Sequence, residues 1–296
     1  MRSGILIILY LFMTVNPDLK SGLIKGRMPE TYNYAVANEP TPVFNSPGYP
    51  EDFGGTDGKT IKLDKEGLFR DLEYIALKGT IFSIKSIIDK GNYKILNVTA
   101  DDYNYNAELY IDGRFVTLLE SKPPAVIKKM PSKKNIYAFL DKAVGSNYIW
   151  GGNCIAGIDK MLKYYPPQGN ISDYEKDIWT FHGCDCSGLM YEATNGYTER
   201  NTWKLIYFGT PVPIEGLTAE QIVQILKPLD MMVWNGHVIY VYDNKTAIQS
   251  ALSKGGVVKT DLLETIENLM KKRRPVNEYD DSPGEKFVVR RWFNEQ

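Results

Sequence analysis

The chain has 296 residues, of which 43% are hydrophobic and 24% are charged. This composition is ordinary for a globular protein with a buried core, and the length corresponds to roughly two domains. The formal net charge is -1. The composition therefore gives no electrostatic basis for binding nucleic acid and argues against that class of function.

The N-terminal residues have the pattern of an export signal. Arg2 precedes an apolar run at residues 5–15, which is shorter than the about 20 residues that a membrane-spanning helix needs. A charged residue followed by such a run is typical of a secretory signal, although no small-x-small cleavage site follows. We expect a signal segment over residues 1–17, cleaved or retained, no stable membrane span, and a periplasmic or cell-envelope location. A buried first strand or helix is the alternative.

The next segments predict a linker and a small β domain. Residues 18–60 are rich in Pro, Gly, Asn and Asp, which indicates a loop or linker region. Residues 61–120 alternate apolar and polar side chains in short runs, broken by turn signals such as Asp112-Gly113. Roughly four to six short strands in this length favour a small all-β barrel. Residues 121–130 contain paired prolines and predict an interdomain linker.

From residue 131 onward the pattern predicts helices first and strands afterwards. A helical repeat begins after Pro131 and ends at Gly145, and Asp185 and Thr218 are placed to cap two later helices. A fourth helix is predicted in "DLLETIENLMKK". Two strands are predicted around the Asp243 turn, and a last strand in "KFVVRRWF". This order predicts an α+β domain over residues 131–296, with helices packed on one side of an antiparallel sheet.

Three cysteines lie in this second half, and they cannot all pair with one another. A Cys184–Cys186 disulfide, between residues only two apart in the chain, is disfavoured by disulfide geometry. A Cys154–Cys184 bridge is conceivable and would leave Cys186 free. His182, Cys184 and Cys186 have poor spacing for zinc and no evident fourth ligand, so we predict no metal and no cofactor.

Cys186 has the features of a nucleophile. It opens a predicted helix, where the helix dipole favours a thiolate and free N–H groups can stabilise an oxyanion. The chain has only one other histidine besides His182, and this is His237 in a predicted strand. His237, Ile239 and Val241 share one strand face, which we expect to pack against the helix. Gln249 in the next strand is placed to accept the Nδ1 proton of His237. The alternative for Cys186 is a buried structural thiol.

Five motifs in the second half occur in an order that resembles a known family. The second half is similar to the NlpC-type cell-wall peptidases, papain-like cysteine hydrolases that cut bacterial peptidoglycan stem peptides. The first half more weakly resembles the Src-homology-3-like barrels that often precede this domain in bacteria. The motifs are "YIWGG" (148–152), "DCSGLMYEATNG" (185–196), "ERNT" (199–202), "GHVIYVY" (236–242) and "AIQS" (247–250).

The resemblance implies a catalytic set of three residues. Cys186 would attack the scissile amide carbonyl and form a thioester. His237 would act first as general base and then as acid for the leaving amine. Gln249 stands where the family usually has a His, Asn or Gln that orients this base.

The resemblance also implies residues that bind the substrate. Tyr148 would line the pocket and help to stabilise the oxyanion. Asp185 and Ser187 would contact the peptide, with Asp185 as a partner for a free amine. The expected partner is a peptidoglycan stem peptide or muropeptide.

Four features depart from the family pattern. Cys184 occupies a position that is often small or apolar, and we interpret it as a core thiol. His182 is interpreted as a loop or packing residue. Leu229 replaces a usual glycine, which puts the shape of the local loop in question. An insertion at residues 164–179 is either a wall of the substrate groove or a packed surface loop.

Three functions remain open from the sequence. The first is a peptidase that cuts peptidoglycan stem peptides at the D-Glu–diamino acid bond. The second is an N-acetylmuramoyl-L-alanine amidase. The third is a non-catalytic wall-binding protein, which is disfavoured because Cys186, His237 and Gln249 are all present.

Overall fold

The computed structural model describes residues 32–55 and 57–294. The predicted signal segment at residues 1–17 lies outside this part of the chain. Within it, no helix is long and apolar enough to cross a membrane.

The described residues before the predicted linker form short β-strands. Their bounds are β1 (Tyr34–Ala37), β2 (Thr41–Phe44), β3 (Phe53–Gly54), β4 (Thr60–Ile61), β5 (Leu72–Ala76), β6 (Ile81–Asp89), β7 (Lys94–Ala100), β8 (Leu109–Asp112) and β9 (Val116–Leu119). Seven of them form one sheet in the order β5-β2-β8-β7-β6-β1-β9, and β3 pairs with β4.

The prediction of a loop or linker over residues 18–60 is wrong for the part of this range that the structure describes. The strands β1 to β3 lie inside this range, and β1 and β2 are paired into the first sheet. The alternation in β1 is only four residues long, and Pro42 stands inside β2. Such short strands among Pro, Gly and Asn residues carry little periodicity, so sheet pairing decided their conformation. The Src-homology-3-like barrel and the domain boundaries remain predictions.

The second half contains helices and a second sheet. In chain order its elements are α1 (Lys133–Ala143), β10 (Asn153–Cys154), α2 (Lys160–Tyr164), α3 (Asp173–Trp179), β11 (Gly183–Cys184), α4 (Cys186–Ala193), α5 (Thr202–Leu205), β12 (Thr210–Val212), α6 (Ala219–Ile225), β13 (Met231–Trp234), β14 (His237–Val241), β15 (Thr246–Ala251), β16 (Gly256–Asp261), α7 (Leu262–Met270), β17 (Arg274–Pro275) and β18 (Lys286–Arg291). The second sheet has the order β12-β18-β13-β14-β15-β16, with β17 beside β18.

The predicted α+β class is confirmed, and the predicted helices form with their caps. Ser132, Asp185, Thr218 and Asp261 each accept a backbone N–H in the first turn of α1, α4, α6 and α7. The stretch around Asp243 forms three strands instead of the predicted two, because a tight turn before His237 separates β13 from β14.

Helices cover both faces of the second sheet, which corrects the prediction of one covered face. Val238 and Tyr240 of β14 pack in the layer that contains α1 and α4. Ile239 and Val241 pack in the layer that contains α6 and α7. Because successive strand residues point to opposite sides, a strand with apolar residues at consecutive positions is expected to be buried on both faces.

The two halves of the chain share one aromatic core across the predicted linker. Phe53 of β3 stacks on Tyr165, with ring centres 4.9 Å apart, and lies 5.7 Å from the Trp179 ring. The Tyr165 hydroxyl donates to Asp112 of β8 at 2.7 Å, and Trp179 Nε1 donates to the Tyr165 carbonyl at 2.8 Å. The insertion at residues 164–179 therefore mainly joins the two halves, which favours packing over the alternative of a groove wall.

Leu229 takes the backbone conformation that a glycine would take. Its φ of 73° lies in the left-handed region, which is unfavourable for a side chain with a Cβ. The Leu229 N–H donates to the Val241 carbonyl at 2.7 Å, and its carbonyl accepts from Trp292 Nε1 at 2.7 Å. These bonds and the complete burial of the side chain hold the loop in this shape.

The shared core predicts that the two halves unfold together. Replacing the fully buried Trp179 by Ala should lower the free energy of unfolding by about 3–5 kcal/mol, as for other large-to-small core changes. Denaturant unfolding followed by circular dichroism and by tyrosine fluorescence checks this. The control Trp203→Ala removes a half-exposed ring and should change stability by at most about 0.5 kcal/mol. Two separate transitions in the wild-type protein would contradict a common core.

Candidate active site

Helix α4 begins where the sequence predicts, and Cys186 is its first residue. The Asp185 Oδ1 atom accepts the Gly188 N–H at 2.7 Å, which is the cap that a helix-opening Asp provides. Gly188 is required by space, because a Cβ there would lie 2.0 Å from the Gly152 carbonyl oxygen. The "YIWGG" loop and the start of α4 are therefore in direct contact.

A buried arginine that the sequence argument left without a role holds the start of α4. Arg200 is 3% exposed, and its Nη1 and Nη2 atoms donate to the two Asp185 oxygens at 3.0 and 2.7 Å. Nη1 also donates to Ser187 Oγ at 2.7 Å, Nη2 to the Gly152 carbonyl at 3.2 Å, and Nε to Asn153 Oδ1 at 3.1 Å. All five guanidinium donors are thereby used. Arg200 lies in the "ERNT" motif, and this motif was the feature of the sequence that could have indicated a role for it.

Asp185 and Ser187 have internal partners in this structure. Both side chains are buried, and their oxygens bind Arg200 and the first turn of α4. A free substrate amine would have to compete with a bidentate, desolvated guanidinium for Asp185. The geometry therefore favours a positioning role for both residues over the predicted substrate contact.

Cys186 is a buried thiol that contacts the second sheet. It is 7% exposed and packs in the same buried layer as Val238 and Tyr240 of β14. Burial raises the pKa of Cys186 to about 12, Asp185 adds to the increase, and the Val238 N–H opposes it. The prediction of a pKa lowered by the helix dipole is wrong, because desolvation of the thiolate outweighs the dipole.

His237 and Gln249 are hydrogen-bonded as the sequence predicts, but through the other ring nitrogen. His237 Nε2 lies 2.7 Å from Gln249 Oε1. A carbonyl oxygen only accepts, so Nε2 carries the proton and Nδ1 is the basic nitrogen of the neutral ring. Burial lowers the pKa of His237, and the Gln249 bond and Asp185 oppose this. The resting pair is therefore a neutral thiol and a neutral imidazole.

The helix that carries Cys186 packs on the face of β14 opposite to the predicted one. Val238 and Tyr240 share a buried layer with Cys186, whereas Ile239 belongs to the other layer. His237 is the first residue of β14, directly before Val238, whose side chain lies in the same buried layer as Cys186. Cys186 therefore packs beside Val238, the neighbour of His237 in the chain, and not against the strand face that carries His237 and Ile239.

Tyr148 lies between two cavities. A cleft of about 880 Å³ is lined by Tyr148, His237, Gln249 and Trp234, among others. Tyr148 also lines a smaller cavity of about 150 Å³, whose apolar walls include Leu68 and Trp150. Burial raises the pKa of Tyr148, so its hydroxyl stays a proton donor. The structure thus places Tyr148 in the same cleft as His237 and Gln249.

The three cysteines and His182 are not among the residues that line the larger cleft. Strand pairing sets Cys184 opposite Asn153 and Cys154 opposite Gly183, and all three cysteines are free, so the conceivable Cys154–Cys184 bridge is absent. Cys184 is fully buried, which confirms its interpretation as a core thiol. His182 Nδ1 lies 2.9 Å from Asp177 Oδ1. No group of three or more His, Cys, Asp or Glu side chains in the described ranges could hold a metal ion.

Comparisons with known proteins give similar solved structures. No protein-family model and no curated protein matches the sequence. NlpC1 from Trichomonas vaginalis is 12% identical, with a TM-score of 0.32 over 89% of this chain and 70% of its own. An NlpC/P60 family protein from Bacillus cereus is 13% identical, with a TM-score of 0.34 over 88% of this chain and 64% of its own.

A third similar structure is that of the peptidoglycan hydrolase RipB from Mycobacterium tuberculosis. It is 18% identical, with a TM-score of 0.33 over 56% of this chain and 70% of its own. Of the three, the first two carry NlpC in their names.

The buried thiol predicts how Cys186 reacts with alkylating reagents. Only the thiolate reacts. While the pH is below the pKa, the thiolate fraction rises about tenfold for each unit by which the pH increases. With a pKa of about 12, the rate of iodoacetamide labelling at Cys186 should rise through the alkaline range without levelling off. Peptide mass spectrometry with Cys186→Ala as the control checks the labelled position. A rate that levels off near neutral pH would show a preformed thiolate and contradict this.

Proposed function

We propose that this chain is a cysteine hydrolase that cleaves amide bonds in peptidoglycan stem peptides, at the D-Glu–diamino acid bond. The observation that carries the proposal is the arrangement at one end of β14. Cys186 opens a helix and contacts the residue after His237, and Gln249 fixes the tautomer of His237. This arrangement supplies a nucleophile, a base and an orienting group.

The proposed reaction begins from neutral groups. As the Cys186 sulfur attacks the amide carbonyl, its proton moves to Nδ1 of His237, and the negative charge develops on the carbonyl oxygen. Backbone N–H groups in the first turn of α4 and the Tyr148 hydroxyl donate hydrogen bonds to the oxyanion. The imidazolium then gives its proton to the leaving amine, and a thioester on Cys186 remains.

Water completes the cycle. His237 takes a proton from the attacking water, the C–S bond breaks, and the proton returns to the Cys186 sulfur. Gln249 holds the ring throughout, and as a neutral acceptor it stabilises the imidazolium less than a carboxylate would. Because the pKa of His237 is lowered, the ring stays neutral at a lower pH than an ordinary histidine does. It can therefore still accept a proton there.

The choice of substrate rests on the family resemblance and on the shape of the site. The cleft of about 880 Å³ next to His237 is open to solvent and large enough for several peptide residues. RipB, one of the similar proteins, is a peptidoglycan hydrolase. Export across a membrane, which the N-terminal segment predicts, is part of the same proposal.

Digestion of muropeptides with purified protein tests the proposed bond. Mass spectrometry should find products cut after D-Glu. Release of an intact stem peptide would instead indicate an amidase, and no cleavage by wild-type protein would indicate the wall-binding alternative. Cys186→Ala should abolish turnover, and Cys154→Ala, which removes a thiol outside the cleft, should leave it intact. Undiminished turnover by Cys186→Ala would contradict both hydrolase assignments.

Replacement of Gln249 tests the orienting bond in the same assay. Gln249→Ala should lower kcat on the order of 10²-fold with little change in KM, because the tautomer of His237 is no longer fixed. Gln249→Glu keeps an acceptor and adds a charge that raises the pKa of His237, so it should retain more activity and move the acid limb of the pH profile upward. Equal kcat values for wild type and Gln249→Ala would contradict this role.

A further inference from the structure

An arginine on the wall of the cleft is connected to the proposed base. Arg273 follows helix α7 and lines the same cleft as His237. Its guanidinium carbon lies 4.6 Å from the centre of the Trp234 ring, and the Trp234 ring centre lies 5.3 Å from that of His237. The separation between the Arg273 guanidinium carbon and the centre of the His237 ring therefore cannot exceed the sum of these two distances. One bound substrate of modest size can therefore reach both side chains.

The hydrogen-bonding capacity of Arg273 is only partly used. Nη2 pairs with Glu285 at 2.9 Å, but the Glu285 side chain is 69% exposed. An ion pair with such an exposed partner contributes little and exchanges readily. The Arg273 Nε atom is buried, and within the described residues it has no hydrogen-bond partner. A buried donor without a partner is unfavourable, so the Arg273 side chain is not fully satisfied by its internal contacts.

The charge around Arg273 favours an anion. Lys254, Lys271 and Lys272 line the cleft together with Arg273, against only two acidic side chains, Asp261 and Glu264. The whole chain has a formal net charge of -1, so the cleft is positive where the chain on average is not. The partly exposed guanidinium, whose Nη2 is held only by the exposed Glu285, can offer its Nη atoms to the oxygens of a carboxylate.

We propose that Arg273 binds a substrate carboxylate, namely the free α-carboxylate of the D-Glu residue whose side-chain carbonyl is attacked by Cys186. This inference rests on the proposed function. In a γ-linked D-Glu only the α-carbon and two methylenes separate the carboxylate from the scissile carbonyl. That short span matches the limited separation of Arg273 from His237. The carboxylate belongs to the acyl part, so Arg273 would hold the thioester while the amine leaves.

Arg273 also packs on Trp234, so loss of activity in a variant would not by itself show binding. The test therefore compares two peptides that differ only at the proposed contact. Both contain L-Ala, γ-linked D-Glu and a diamino acid, and the α-carboxylate of D-Glu is either free or converted to the carboxamide. A purely structural role of Arg273 would change the hydrolysis of both peptides equally.

The expected result is a preference that depends on Arg273. Wild-type protein should favour the carboxylate peptide in kcat/KM by about 10-fold or more, as for the loss of a charge-assisted hydrogen bond. Arg273→Met should abolish this preference, and Arg273→Lys should retain part of it. The control Lys254→Met removes another positive charge of the same cleft and should keep the preference. Equal cleavage of both peptides by wild type, or an unchanged preference in Arg273→Met, overturns the proposal.

A binding measurement separates this inference from the proposed reaction. Calorimetry on Cys186→Ala, with and without Arg273→Met, gives the affinity of both peptides without turnover. Tighter binding of the carboxylate peptide that disappears with Arg273→Met supports the site even if wild-type protein cuts neither peptide. Equal affinities of Cys186→Ala for the two peptides overturn it, whether or not the peptides are cut.

Discussion

The buried ion pair between Asp185 and Arg200 is the interaction on which the proposed site depends. Asp185 caps helix α4, and Arg200 fixes that carboxylate with two hydrogen bonds. Arg200 also binds Asn153, whose amide exchanges two hydrogen bonds with the backbone of Ile75 in β5. A continuous polar network thus runs from the first sheet to the residue before Cys186. The Asp185–Arg200 pair is desolvated and fully hydrogen-bonded. Loss of one partner would therefore leave the other as an unpaired buried charge.

Burial also sets the chemistry of the proposed nucleophile. The same packing that fixes Cys186 against Val238 raises the pKa of its thiol and lowers the pKa of His237. Both groups are therefore neutral at rest, and charge develops only when the sulfur attacks a carbonyl. In the proposed mechanism, N–H groups at the start of α4 stabilise that charge, and no thiolate is stored beforehand. The basic wall around Arg273 is the proposed substrate contact, and the Arg273 charge also contributes to the lowered pKa of His237.

Local rules predicted several helix starts and the pairing of His237 with Gln249 from the sequence. Tertiary contacts account for the features of the fold and of the site that these rules missed. Side-chain caps fixed the starts of α1, α4 and α6, and strand pairing brought Gln249 to His237 as expected. The role of Arg200 depends on a partner 15 residues away that only the folded chain brings close. The raised pKa of Cys186 depends on burial, which spacing does not reveal, and the aromatic core joins residues more than a hundred positions apart.

The most direct test of this account is the rate at which a stem peptide acylates Cys186 in a single turnover, followed by acid quenching and mass spectrometry of the intact protein. The account predicts an adduct on Cys186 with the mass of the acyl part up to D-Glu. It also predicts that folded Arg200→Met forms this adduct on the order of 10²-fold more slowly, because a displaced helix start misaligns the sulfur. Product release without an adduct on Cys186, or acylation of Arg200→Met at the wild-type rate, would contradict it.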